Sequence, residues 1–214
     1  MSIYGLVNGF VKVTGLPAAF FCFHSKIYFE DKPAQGRKIK GPAIIICNHT
    51  SVYDFAALMF VFFTGTLRCQ MAEVLFKKKP LGAFLKALGG IYVDRNTKSM
   101  AFMLKSEEIL DNGGIVEIFP ESRLPLPGED RPLEFKTSAA ALALNCEVPV
   151  IPVYTDGCYF DFKKRAHIII GRPVNLFDYY NEELSERENL INCTEKMRNK
   201  IIELGSLLEK VKSK

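Results

Sequence analysis

The chain has 214 residues, 48% of them hydrophobic and 24% charged. That balance suits one globular unit with a sizeable core and excludes disordered, collagen-like and coiled-coil chains. Lys and Arg number 28 against 24 Asp and Glu, a net charge of +4 without a dense basic run, which suits an anionic substrate or a membrane surface and argues against nucleic acid as a partner.

The first 25 residues carry one charge, Lys12, and lack the basic start and cleavage site of a signal peptide. Ile3, Leu6, Val7, Phe10 and Val11 recur at helical spacing. Gly15 and Pro17 are expected to break that helix, and Leu16 to Phe23 forms a second, Phe-rich apolar run. A span needs about 20 apolar residues, and Lys12, Gly15 and Pro17 interrupt every such window. The expectation is an interfacial anchor, with Lys12, Lys26 and the Lys77-Lys78-Lys79 cluster near anionic head groups. The bland readings are core-capping apolar segments and a solvated lysine loop.

Strands and helices then alternate. Ala43–Cys47 reads as a buried strand, Asp54–Phe63 as an apolar helix and Arg68–Met71 as a short strand. Leu81–Leu88 is predicted as a helix ending at Gly89-Gly90, followed by the strand Ile91–Val93. A helix over Ser99–Leu110, a strand over Ile115–Phe119 and an alanine-rich helix over Lys136–Leu144 come next. Val150–Val153 and His167–Ile170 read as strands. The last helix starts at the capping box Ser185-x-x-Glu188. This order predicts an α/β fold with a mostly parallel or mixed central sheet flanked by helices. Six cysteines, none in a Cys-x-x-Cys pair, read as reduced thiols in a cytoplasmic protein.

The sharpest local pattern is Asn48-His49-Thr50-Ser51-Val52-Tyr53-Asp54, between a buried strand and a helix start. Ligands gather at the carboxyl ends of strands in such folds. There Asp54 can accept the Nδ1 proton of His49 and leave Nε2 free as a base. On spacing alone the plainer reading, a turn histidine and a helix-dipole aspartate, is favoured. Three further blocks follow: Gly89-Gly90-Ile91-Tyr92-Val93-Asp94-Arg95, Ile118-Phe119-Pro120-Glu121-Ser122-Arg123 and Val148-Pro149-Val150-Ile151-Pro152-Val153. Parallel neighbouring strands would bring Arg95 and Arg123 to the sheet edge of His49, where two guanidinium groups suit a phosphate. Cys47 and Ser51 flank His49 as alternative nucleophiles, but no Gly-x-Ser-x-Gly elbow exists, and Cys47 is expected to face the core.

In this order the four blocks resemble those of the glycerolipid acyltransferases, the lysophosphatidic acid acyltransferase family, over roughly residues 41 to 175. Asn48-His49-x-Ser51-x-x-Asp54 matches that family's catalytic motif, and Phe135-Lys136 before the alanine helix also fits its pattern. The resemblance implies an N-terminal membrane-associating segment, 1–25, and an acyltransferase domain, 26–214. It implies His49 as general base and Asp54 as its orienter. Ser51, Arg95, Glu121, Arg123 and Lys136 become the expected substrate-binding residues. It further implies a lysophospholipid acceptor, acyl-CoA or acyl carrier protein as donor, no cofactor or metal, and a place on the cytoplasmic face of the membrane. One departure stands out. The family's third block continues from Glu with Gly, Thr, Arg, whereas this chain reads Glu121-Ser122-Arg123, one residue shorter. Either the loop is drawn in so that Arg123 keeps its role, or the acceptor's head group differs. Other readings are a non-catalytic lipid-binding protein, acylation of another lipid or an amine, and an esterase using water.

Overall fold

Fifteen elements are defined in the computed structural model, which describes residues 2–97, 99–161 and 163–213. Helix α1 (Ile3–Phe23) leads into β1 (Lys26–Phe29), β2 (Ala43–Cys47), α2 (Asp54–Val61) and β3 (Leu67–Ala72). The short α3 (Glu73–Lys77), α4 (Leu81–Leu88), β4 (Ile91–Val93), α5 (Ala101–Asp111) and β5 (Ile115–Ile118) follow. Helix α6 (Ser138–Asn145), β6 (Val150–Thr155), β7 (His167–Ile170), a 3-10 turn at Leu176–Tyr179 and α7 (Glu186–Lys212) complete the chain.

The seven strands form one sheet in the order β1-β7-β6-β2-β5-β3-β4. Neighbours are parallel except β6 and β7, so β1 and β7 run against the other five. The expected mixed α/β sheet is present. Strand β2 lies at its centre and is buried throughout. Ile44 and Ile46 pack into the core on one face, while Ala43, Ile45 and Cys47 pack into the core on the other. Period-two alternation into two apolar layers explains the unbroken AIIIC run. Burial also raises the Cys47 thiol well above its ordinary range, which removes it as a nucleophile.

The predicted capping box is formed: Ser185 Oγ accepts from the Glu188 N–H, and the Glu188 carboxylate accepts from the Ser185 N–H at 2.9 Å. Strand β1, helix α3 and the 3-10 turn have no counterpart in the sequence expectation. They are three short elements set by tertiary pairing rather than by a periodic pattern.

The amino-terminal segment differs from expectation. Gly15 and Pro17 do not break it: α1 is one helix of 21 residues. Pro17 removes one backbone donor, and that loss does not end the helix. Gly15 lets the helix approach α2, since a Cβ there would stand 3.3 Å from Phe60. By length and composition α1 is long and apolar enough to cross a membrane, contrary to the sequence reading. Its contacts, however, run along the domain, against α2 and α4. Lys12 does not reach toward head groups. It is buried, and its Nζ donates to the carbonyls of Phe62 at 3.2 Å, Phe63 at 3.1 Å and Gly65. Asn8, one turn earlier, donates to Leu88 O at 2.8 Å, and Tyr4 lies under the Arg68 guanidinium at 3.9 Å. Tyr4, Asn8 and Lys12 thus form a polar inner stripe. Ile3, Leu6, Phe10, Val13, Leu16 and Phe20 are exposed.

Candidate active site

Strands β2, β3, β4 and β5 are mutually parallel, so their carboxyl ends share one edge of the sheet. Asn48 continues β2 past its last residue. Its side chain accepts from Thr155 N–H and donates to Thr155 O, both at 2.9 Å, which ties the start of the loop to the end of β6. The loop then turns around one carboxylate. Asp54, fully buried in the first turn of α2, accepts from Thr50 N–H at 2.7 Å and Ser51 N–H at 2.9 Å through Oδ2. Its Oδ1 accepts from Thr50 Oγ1 at 2.9 Å. His49 Nδ1 lies 2.9 Å from Asp54 Oδ2. A carboxylate so placed favours the imidazole tautomer that carries its proton on Nδ1. Gly157 closes the loop from behind: a Cβ there would overlap Thr50 Oγ1.

His49 lines a cavity of about 620 Å³. Val52, Phe55, Met71 and Phe119 give it apolar walls, and Arg95, Arg123 and Lys136 also line it. Phe119 stacks on the His49 ring, with centroids 4.5 Å apart. Three of the expected cationic residues therefore meet at one cavity with the histidine.

Ser51 and Glu121 are not among the residues that line that cavity. Ser51 holds the loop through its backbone, and its Oγ accepts from Tyr53 N–H at 3.2 Å. Glu121 is buried, with Oε1 accepting from His49 N–H at 2.8 Å and Oε2 from Leu133 N–H at 2.9 Å. Desolvation raises its carboxyl above the ordinary range, against those two hydrogen bonds. Both residues were expected to touch substrate; the contacts they make in the structure are to the loop itself. Ser122, where the sequence lacks the usual glycine, takes a left-handed φ of 63°.

Two carboxylates invisible to the sequence reading hold the arginines. Glu73 accepts from Arg95 Nε at 3.2 Å and from Asn96 Nδ2 at 3.1 Å. Arg95 is the chief reason the Glu73 carboxyl is held at about 2. The register pairs Ala72 with Val93, which sets Glu73 and Arg95 at the same sheet end. Only that pairing, not the 22-residue separation, would have revealed the contact. Glu129 accepts from both terminal nitrogens of Arg123, at 2.6 and 2.7 Å, and is likewise held at about 2. Lys136 forms no ion pair among the described residues. No cluster of His, Cys, Asp and Glu suited to a metal occurs among them either.

A family model described as Acyltransferase matches residues 23–156. The chain is 28% identical over 172 residues to the 1-acyl-sn-glycerol-3-phosphate acyltransferase of Bacillus subtilis, covering 78% of this chain and 83% of that protein. It is 27% identical over 136 residues to the human 1-acyl-sn-glycerol-3-phosphate acyltransferase beta, covering 62% of this chain and about half, 48%, of that one. Among solved structures, the 1-acyl-sn-glycerophosphate acyltransferase of Thermotoga maritima superposes with a TM-score of 0.67. That match covers 97% of this chain and 80% of the other at 20% identity, a likeness of fold. With more than half its length matched by the family model, the chain belongs to the acyltransferase family.

Proposed function

We propose that the protein transfers a fatty acyl group from an acyl thioester, on coenzyme A or acyl carrier protein, to a free hydroxyl of a lysophospholipid such as lysophosphatidic acid. The observation that carries this reading is the 2.9 Å pair of His49 Nδ1 and Asp54 Oδ2 at a largely apolar cavity whose wall also holds cations. His49 Nε2 takes the proton of the acceptor hydroxyl as its oxygen attacks the thioester carbonyl. The tetrahedral intermediate collapses, the carbon–sulfur bond breaks, and the thiolate takes that proton back from the imidazolium. The products are an ester and a free thiol. Asp54 stabilises the transient imidazolium. Arg95 and Lys136 supply charge for the acceptor's phosphate, and the apolar walls suit an acyl chain.

No cofactor or metal enters this scheme. A buried Cys47 thiol with a raised pKa supports direct transfer over an acyl-cysteine route. The exposed apolar residues of α1 support a place on a membrane surface, which for an acceptor made in the cell interior is the cytoplasmic face. Mass spectrometry of products from several acyl-CoA and acyl carrier protein donors with a panel of lysolipids tests the reading. Diacyl product is expected; release of free fatty acid alone would make the protein an esterase. His49→Ala and Asp54→Asn are expected to lower transfer about 10²–10⁴-fold while the far-ultraviolet circular dichroism is kept. Full turnover in a folded His49→Ala protein would exclude the dyad.

A further inference from the structure

Arg123 lines the cavity, but its guanidinium fork is already occupied. Both carboxylate oxygens of Glu129 face its two terminal nitrogens, at 2.6 and 2.7 Å, and one of those nitrogens also reaches Leu124 O at 3.2 Å. This is the bidentate geometry in which arginine would otherwise hold a phosphate. The pair lies at the surface, with the Arg123 and Glu129 side chains 48% and 32% exposed, but it is bidentate and Glu129 is fixed by the backbone. Glu129 Oε2 also accepts from Leu126 N–H at 2.7 Å, and Glu129 N–H donates to Leu126 O at 3.2 Å. The intervening segment, Leu124-Pro125-Leu126-Pro127-Gly128, contains two prolines that narrow its freedom. Its base is fixed on both sides. Glu121 holds Leu133 N–H, and Arg198 on α7 donates to Leu133 O at 3.0 Å and Pro132 O at 2.7 Å.

Arg95 is held differently. Glu73 takes its Nε edge, while NH1 stands 3.5 Å from Ser122 O. Among the described residues no carboxylate covers its terminal end, whereas Glu129 covers that of Arg123. In the loop that follows the third block, an anion of the chain itself thus occupies one of the two guanidinium groups at the cavity.

We propose that Glu129 is a positioning residue that withholds Arg123 from the acceptor's anionic group, so that Arg95 and Lys136 bind that group and Glu129 sets how tightly a phosphomonoester is held. The inference rests on the phosphate-bearing acceptor proposed above. Removing the Glu129 charge frees the fork for the ligand. Neutralising the adjacent Asp130, which forms no ion pair among the described residues, changes the local field without freeing it.

The test is calorimetric titration of the full chain with sn-glycerol 3-phosphate at low ionic strength, using wild type, Glu129→Gln, Asp130→Asn and the double variant Glu129→Gln/Arg123→Ala. Glu129→Gln is expected to bind at least about fivefold tighter, because a freed bidentate arginine is a strong phosphate ligand. Asp130→Asn stays within about twofold of wild type, and the double variant loses the gain. In turnover, Glu129→Gln lowers the KM for lysophosphatidic acid with little change in kcat. A structural lesion would not produce a gain in affinity. Binding by Glu129→Gln no tighter than wild type, absence of binding by both included, overturns the proposal. So does an equal gain in Asp130→Asn, or a gain that survives in the double variant. Absence of acyl transfer to lysophosphatidic acid by wild type would remove the function reading alone, because the titration does not depend on turnover.

Discussion

The backbone N–H of His49 donates to Oε1 of Glu121 at 2.8 Å, while the second oxygen of that carboxylate holds Leu133 N–H. A carboxylate from the loop after β5 thus fixes the main chain of the histidine at the end of β2. Asp54 fixes its ring. The first and third sequence blocks act on the same residue from two sides.

Replacing Glu121 by Ala leaves two half-buried N–H groups without their acceptor, at about 1 kcal/mol each. The melting temperature is expected to fall, and kcat to fall with it, while the KM for the acceptor stays near wild type. A rise confined to acceptor KM would instead mean that Glu121 touches the acceptor hydroxyl. Thermal melts and steady-state kinetics on one preparation separate the two.

Glu73 aims Arg95 through a charge-assisted hydrogen bond. Glu73→Gln keeps the shape and loses the charge that strengthens such a bond. The expected result is an acceptor KM raised about tenfold with donor KM and kcat little changed. Equal loss in both KM values would show a general collapse of the cavity.

Burial raises the Glu117 carboxyl well above its ordinary value of 4.5, and its Oε1 has no partner. Above pH 4.5 the unfolded chain releases this proton while the folded protein keeps it. The folded state then binds more protons, and stability falls as pH rises through that span. Lys12, lowered to about 8 by burial, has the opposite slope. Between about 8 and 10.5 the unfolded chain binds more protons, so stability rises with pH there. Glu117→Gln is expected to flatten the fall above pH 4.5 and raise the melting temperature at pH 7. Melting curves across pH 4.5 to 10 check both limbs.

Phe10 and Phe20 are exposed on α1, while Asn8 and Lys12 hold the opposite side to the domain. Phe10→Ser with Phe20→Ser is expected to weaken liposome binding about tenfold or more without changing the melting temperature in detergent, since each buried phenyl ring contributes about 1.5–3 kcal/mol. Unchanged cosedimentation with vesicles would place the membrane contact elsewhere, with the exposed Leu81 and Phe84 of α4 the next residues to alter.

Long periodic elements were legible in the sequence. The AIIIC strand, the α4 stop at Gly89 and the capping box of α7 each follow from local chemistry. The His49 to Asp54 spacing was legible too, because both residues lie on one short loop between two readable elements. Glu73 and Glu129 were not, since their roles depend on which strand ends meet and on how a proline-rich loop folds back. The continuity of α1 was hidden because Gly15 and Pro17 are helix breakers in isolation, while packing on α2 and α4 is a long-range effect. Lys12 misled for the same reason: a lone lysine in an apolar run reads as a surface charge until the carbonyls that receive it are known.

The two hydrogen bonds between the side chain of Asn48 and the backbone of Thr155 lock the loop to β6, which lies directly beside β2 at the middle of the sheet. The histidine, one residue further on, is therefore tied to the middle of the sheet at the start of its loop. Heat inactivation is expected to follow the loss of those two bonds closely, so that activity and sheet fade over overlapping temperature intervals.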